Sequence, residues 1–274
     1  MTRALDIVSE FPVPTAAAAV LVSGSVVDTC GPVDHRFHLA SLAKTVTSWA
    51  VLVAVEEGTV SLDDDIDGAT LEQLLSHAGG HGFDATARRT EPGLRRIYSN
   101  PGIEAAAQHV TDRSSMPFVE YLQAGVLDPL KMGSTRLSGS PAHGMWSTVN
   151  DMGHFLTEVS TPTLISPAMA ANAARSHFPA LGGIVPGVGR FDTCPWGLGF
   201  EVRGDKYPHW TGPRNSAATF GHFGGAGTMM WVDPERDLSL VALSDRSFDE
   251  WATDALILWP KLSDAVIDEF VGVV

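Results

Sequence analysis

Phe37-His38-Leu39-Ala40-Ser41-Leu42-Ala43-Lys44 leads into a run in which Val46, Trp49, Ala50, Val53 and Val55 stand close together before Gly58. This density of apolar residues predicts a largely buried helix from Ser41 to Glu57, stopped by Gly58. On such a helix Ser41 and Lys44 stand at i and i+3, so a hydroxyl and an amine share one face and can touch. Near a helix N-terminus the dipole disfavours a protonated amine and stabilises negative charge developing on the serine oxygen. Burial lowers the lysine pKa further, and both effects favour an activated nucleophile.

Upstream of this helix, Thr15 to Val22 and Ser25 to Val27, separated by Ser23 and Gly24, read as a hairpin of small and β-branched residues. Downstream, Thr70 with Gln73 forms a capping-box pattern, and helices are expected near Pro101 to His109, Pro117 to Ala124 and Val149 to Glu158. After Pro195 the pattern becomes β-rich, with strands expected at Gly199 to Arg203, Thr219 to His222, Thr228 to Val232 and Leu238 to Leu243. Phe248 to Trp259 and Lys261 to Val271 are expected as closing helices separated by Pro260. Strands at both ends and helices between predict one composite sheet within a single domain of 274 residues. The α/β subdomain comes from residues 1–60 and 195–274, with a helical subdomain, 61–194, inserted.

Eighteen Lys plus Arg against 32 Asp plus Glu leave a formal charge of -14, which argues against a nucleic-acid or anionic-membrane partner and for a small or neutral substrate. Asp6, Glu10, Pro12 and Pro14 precede the apolar run Ala16 to Val22, where a secretory signal would carry basic residues, so a cytoplasmic protein is expected. Cys30 and Cys194 lie far apart without C-x-x-C spacing and read as two thiols at least as well as a bridge. His77 and His81 have i, i+4 spacing, but Gly79 and Gly80 between them argue against a helix presenting both to a metal, and no metal or cofactor is expected.

Three short motifs follow one another along the chain. The first, Ser41-Leu42-Ala43-Lys44, is by itself weak: this composition yields about 0.3 S-x-x-K matches by chance. The second, Tyr98-Ser99-Asn100, is rarer, at about 0.04 expected matches, and carries most of the weight. The third, His222-Phe223-Gly224, is about as frequent as chance but falls in a β-rich cluster of Gly221, Gly224, Gly225 and Gly227, where backbone can approach a ligand closely.

In this order the motifs resemble the serine β-lactamase and penicillin-binding-protein superfamily of class C β-lactamases, D-alanyl-D-alanine carboxypeptidases and related esterases. The blocks Leu74-Leu75-Ser76-His77-Ala78-Gly79, Trp146-Ser147-Thr148 and Gly197-Leu198-Gly199-Phe200 are similar to the same family. The resemblance implies an α/β (α+β) fold of the β-lactamase/transpeptidase type, an antiparallel sheet flanked by helices with a helical insertion. It implies that Ser41 attacks a carbonyl while Lys44 and Tyr98 share the proton transfers. The N–H groups of Ser41 and Gly225 would form the oxyanion hole, and Asn100 would orient substrate or Lys44.

The third motif departs from the β-lactamase pattern, in which Lys followed by Ser or Thr binds the substrate carboxylate; here the pair is His222 and Phe223. A neutral imidazole binds an anion less strongly than an ammonium, and Phe brings no hydroxyl. An esterase or amidase acting on a small, fairly apolar acyl group is therefore expected. A β-lactamase or carboxypeptidase, a penicillin sensor without turnover, and an inactive scaffold are the alternatives. Trp146, Trp196 and Phe223 are candidates for the acyl pocket, with core packing the default for each tryptophan. The loop Arg175 to Gly189 is expected to shape that pocket. No serine has glycines at both -2 and +2, which excludes the elbow of a conventional α/β-hydrolase.

Overall fold

The computed structural model describes residues 3–84 and 90–271. Its centre is a six-stranded antiparallel sheet made of β1 (Ala16–Val22), β2 (Ser25–Cys30), β3 (Glu201–Val202), β4 (Phe220–Gly224), β5 (Thr228–Asp233) and β6 (Leu238–Ser244). Across the sheet the strands run β3-β4-β5-β6-β1-β2, so segments far apart in sequence meet at the β1–β6 pair, where Ala16 faces Ser244 and Val22 faces Leu238. The expected hairpin forms β1 and β2, and Ser23 and Gly24 turn it with positive φ at both.

Both faces of this sheet are covered, which explains why β1 is a run of alanines and aliphatics instead of an alternating strand. Ala17, Ala19 and Leu21 point into a core shared with the helices α1 (Ala43–Glu56) and α5 (Val149–Ser160). Ala18 and Val20 point to the opposite face, packed with Trp231 and with Ala255, Trp259, Leu262 and Val266 of α7 (Ala252–Phe270). The remaining helices are α2 (Leu71–Leu75), α3 (Asn100–Ser114), α4 (Phe118–Leu122) and α6 (Pro167–Ala174). The Thr70 hydroxyl accepts from the Gln73 N–H and the Gln73 side chain accepts from the Thr70 N–H, so the capping box forms as expected.

The structure differs from these expectations in four places. Pro260 does not separate a pair of helices: a single helix, α7, runs through it, and Phe248–Glu250 forms a distinct 3₁₀ turn. An interior proline costs about 3 kcal/mol, but Ala255, Trp259, Leu262 and Val266, on both sides of it, form one buried stripe whose burial outweighs that cost. The strand expected at Gly199 to Arg203 shrinks to Glu201–Val202, because Gly199 has φ +87° and lets the chain pass against Ser48 of α1. The strand expected at Thr219 to His222 is shifted to Phe220–Gly224, extending through the third motif. Trp146 is 44% exposed and tilts against His38, outside the core. The two cysteines are free thiols.

Helix α1 is anchored through Trp49, whose indole N–H donates to the buried carboxylate of Glu158 at 3.2 Å. The same carboxylate accepts from the Thr163 hydroxyl (2.7 Å), the Thr163 N–H (2.9 Å) and the Leu164 N–H (2.9 Å). Glu158→Ala leaves the buried Trp49 N–H without its acceptor, frees three further donors on the Thr163–Leu164 segment, and should cost about 3 kcal/mol. That corresponds to a Tm lowered by roughly 6–10 °C in a thermal melt, whereas Glu158→Gln should lose less than half as much.

Candidate active site

Ser41 sits in a 3₁₀ turn, Ala40–Leu42, immediately before α1, so the helix begins two residues later than the sequence suggests. Ala40, just before Ser41, adopts φ +47°, a left-handed conformation unfavourable for a residue with a side chain. What holds it is the strand end beneath. Leu39 C=O accepts from the Thr228 hydroxyl at 2.8 Å, and Gly224 lies so close that a Cβ there would stand 2.2 Å from the same carbonyl oxygen. On the other side Leu39 N–H donates to Met145 C=O at 2.8 Å. The turn bearing Ser41 is thus clamped between β4, β5 and the strand Met145–Ser147.

Lys44 is fully buried, with Nζ 3.1 Å from Ser41 Oγ and 2.9 Å from the Ala142 carbonyl, to which it donates. Burial brings its pKa down to about 7, although Glu104 and Asp84 pull the other way. Nζ also lies 4.8 Å from the centroid of the Tyr98 ring. The Tyr98 hydroxyl is 3.3 Å from His222 Nε2, and His222 Nδ1 is 2.6 Å from the Phe223 carbonyl. Since a carbonyl accepts only, the imidazole proton belongs on Nδ1, leaving Nε2 to accept from the Tyr98 O–H. Burial pushes the Tyr98 phenol well above its ordinary pKa, outweighing a hydrogen bond with Ser41. Burial, reinforced by the Lys44 charge, lowers His222 to about 3, so its ring is neutral at physiological pH. Trp196 packs edge-on against His222, its ring centroid 5.6 Å away.

A cavity of about 220 Å³ is lined by Ser41, Tyr98, Trp196, His222, Phe223 and Gly225, with Phe83, Val185, Pro186 and Phe248 as apolar wall and the carboxylates of Glu201 and Asp249 also on its border. The Gly224 carbonyl accepts from Gly227 N–H at 3.0 Å. In a trans peptide the next N–H, that of Gly225, must point the opposite way, out of that turn. Gly224 and Asn100 do not border the cavity. Gly224 serves as the close contact under Leu39, and the Asn100 side-chain N–H donates to the Asp84 carboxylate at 3.1 Å.

The motifs could not reveal the Ala142 carbonyl, a backbone group 98 residues from its lysine, nor Phe83 and Phe248, which lie outside all three of them, whereas Val185 and Pro186, on the cavity wall, belong to the segment Arg175 to Gly189 expected to shape the pocket. His77, whose spacing to His81 raised the question of a metal, instead packs against Tyr98 at 4.7 Å, and its Nδ1 accepts from the Ser99 N–H at 3.2 Å.

A family model described as Beta-lactamase matches residues 6–259. No curated protein sequence matches the chain. Among solved structures, a β-lactamase from Mycobacterium bovis is 44% identical, covers 98% of this chain and 99% of its own, and superposes with a TM-score of 0.95. EstCE1, described as a hydrolase with promiscuous acyltransferase activity, is 16% identical with a TM-score of 0.78, covering 96% of this chain and 97% of its own. Simvastatin synthase from Aspergillus terreus, in an LovD9 mutant form, is 15% identical with a TM-score of 0.78, covering 97% of this chain and 96% of its own. At such identities the last two report the fold alone. With a matching family model over most of its length and a relative sharing 44% of its residues, the chain belongs to the β-lactamase family of the serine β-lactamase and penicillin-binding-protein superfamily.

Proposed function

We propose that this chain is a serine hydrolase that cleaves a small ester or amide through an acyl-enzyme on Ser41. The observation that carries the reading is a buried lysine amine, lowered to a pKa of about 7, at 3.1 Å from the Ser41 hydroxyl. A neutral amine so placed accepts the hydroxyl proton as Oγ bonds to the substrate carbonyl carbon. The N–H groups of Ser41 and Gly225, two residues that line the cavity, would take up the negative charge on the oxygen of the tetrahedral intermediate. As the intermediate collapses, the bond to the leaving group breaks and the proton passes from Lys44 to that group, with the Tyr98 hydroxyl as the neighbouring donor. Water then repeats the sequence at the acyl carbonyl, its proton taken by Lys44 and returned to Ser41.

The esterase or amidase preference rests on the third motif. A β-lactam presents a carboxylate, and here the position is held by an imidazole neutral above about pH 3 and by Phe223, which has no hydroxyl to offer. The cavity's apolar walls suit a short acyl chain. A second reading, β-lactam hydrolysis, is favoured by the description of the 44% identical Mycobacterium bovis protein as a β-lactamase.

Pre-steady-state hydrolysis of p-nitrophenyl acetate and butyrate, run beside nitrocefin with intact-mass detection, separates the two. The expected result is a burst, steady ester turnover and an acyl adduct on the peptide containing Ser41, with nitrocefin at least 100-fold slower. Nitrocefin turnover faster than that of the esters would overturn the preference. No adduct with any acyl donor would overturn the hydrolase reading itself.

A further inference from the structure

Beside the catalytic cavity lies a larger groove of about 690 Å³, and the two share Phe83, Tyr98 and Pro186 as their common wall. Phe83 stacks on Tyr98, with centroids 5.8 Å apart and planes at 29°. The opposite wall is a ribbon of three extended segments. Gly183–Val185 and Gly189–Phe191 form a hairpin, and Arg96 bridges Gly183 in parallel from the chain just before the Tyr98 motif. Side chains alternate across such a ribbon. Arg96 and Gly183 share one side, which places Arg95, Ile97 and Ile184 on the other, together with Arg190, the cross-strand partner of Ile184. All four line the groove.

The charge of this wall is opposite to that of the chain as a whole. Arg95 and Arg190 are exposed and, among the described residues, the side chain of neither makes a hydrogen bond or ion pair within the protein. Arg96 is buried beneath them and donates to the carbonyls of Ser76, Cys194, His177 and Phe178, with no carboxylate among its partners. Among the described residues Asp192 is the one carboxylate that lines the groove, against the two exposed guanidinium groups of Arg95 and Arg190, while Arg96 spends its own on carbonyls behind them. In a chain of net charge -14, a local excess of cations beside exposed Phe83 and Ile184 is suited to an apolar arm ending in an anion.

We infer that this groove is a substrate subsite for a carboxylate carried at the far end of an apolar arm, held by Arg95 and Arg190 while the scissile carbonyl reaches Ser41. The inference rests on the hydrolase reading above and adds the substrate class to it. It also moves anion recognition away from the third motif, where His222 and Phe223 offer none, to the opposite side of Tyr98.

The test compares kcat/KM for substrate pairs that differ only in a terminal carboxylate. One pair is mono-p-nitrophenyl pimelate against p-nitrophenyl heptanoate, with the charge on the acyl arm. The other is 4-acetoxybenzoate against its methyl ester, with the charge on the alcohol arm. A preference of roughly tenfold for the charged member of at least one pair is expected, falling towards parity in Arg95→Ala/Arg190→Ala and in about 0.5 M salt. Turnover of p-nitrophenyl acetate should stay unchanged in that variant. Equal ratios in both proteins, with the acetate ester still cleaved, would overturn the subsite and leave the hydrolase standing. Binding of pimelic monoamide and heptanamide to Ser41→Ala protein, followed by calorimetry, reads the groove without chemistry. A carboxylate preference there, lost in the arginine variant, would uphold the subsite even if every ester proved inert.

Discussion

Replacing Ser41 with Ala is expected to remove the acyl adduct and to lower ester turnover by at least three orders of magnitude, and Lys44→Met should fall nearly as far. The two groups act as a unit, since the proton that Ser41 must lose has Lys44 Nζ 3.1 Å away. The double variant should therefore be scarcely slower than either single one. The pH profile distinguishes this pairing from a merely structural lysine. With the amine at a pKa of about 7, its base form grows as pH rises, so kcat/KM should climb through pH ~7 to a plateau. His222, at about 3, and Tyr98, raised above its ordinary value, add no limb between pH ~5 and ~9. Lys44→Arg should not rescue activity, because a guanidinium stays protonated throughout this range. A Lys44→Met protein retaining a tenth of the wild-type rate would move the base role to Tyr98.

Gly224→Ala should damage activity more than stability, because of where the added methyl falls. The added Cβ would meet Leu39 C=O at 2.2 Å and the Thr228 hydroxyl at 2.5 Å, and both belong to the clamp under the Ser41 turn. The strain costs about 1–3 kcal/mol and should lower Tm by several degrees. The kinetic effect should exceed the thermal one: moving Ser41 by about 1 Å against Lys44 is worth roughly 100-fold in kcat. The neighbouring Gly225→Ala supplies the contrast, since nothing lies within 4 Å of its added Cβ. It should melt within about 2 °C of the wild type. Equal stability and activity for the two variants would remove Gly224 from the clamp.

Much of the site is legible in the sequence because its chemistry is written at short spacing. Ser41 and Lys44 are one turn apart, and the rarity of Tyr98-Ser99-Asn100 identifies the second contributor. The buried helix behind Ser41 and the Thr70–Gln73 capping box are legible for the same local reason. What stays hidden depends on contacts between distant segments. Nothing in the local pattern at Pro260 announces that a buried stripe continues past it, so a break is expected where packing holds the helix together. Asn100 shows the same limit, its amide facing a carboxylate 16 residues upstream. The arginine-lined groove is equally illegible, because only the pairing of Arg96 with Gly183 brings Arg95 and Arg190, far apart in sequence, onto one wall. No helix among the described residues is long and apolar enough to cross a membrane.

The β1–β6 pairing also bears on how the chain matures. Val22 stands opposite Leu238 in the ladder, and β1 is an inner strand with neighbours on both sides. During ribosomal synthesis the amino-terminal hairpin must therefore wait for some two hundred further residues before its partner emerges, roughly 10–45 s at ordinary elongation rates. Throughout that delay Ala17 to Leu21 present an unpaired, wholly apolar edge, the kind of segment that aggregates unless it is shielded. Soluble yield in a heterologous host should consequently respond more to translation speed and holdase chaperones than to the stability of the finished fold.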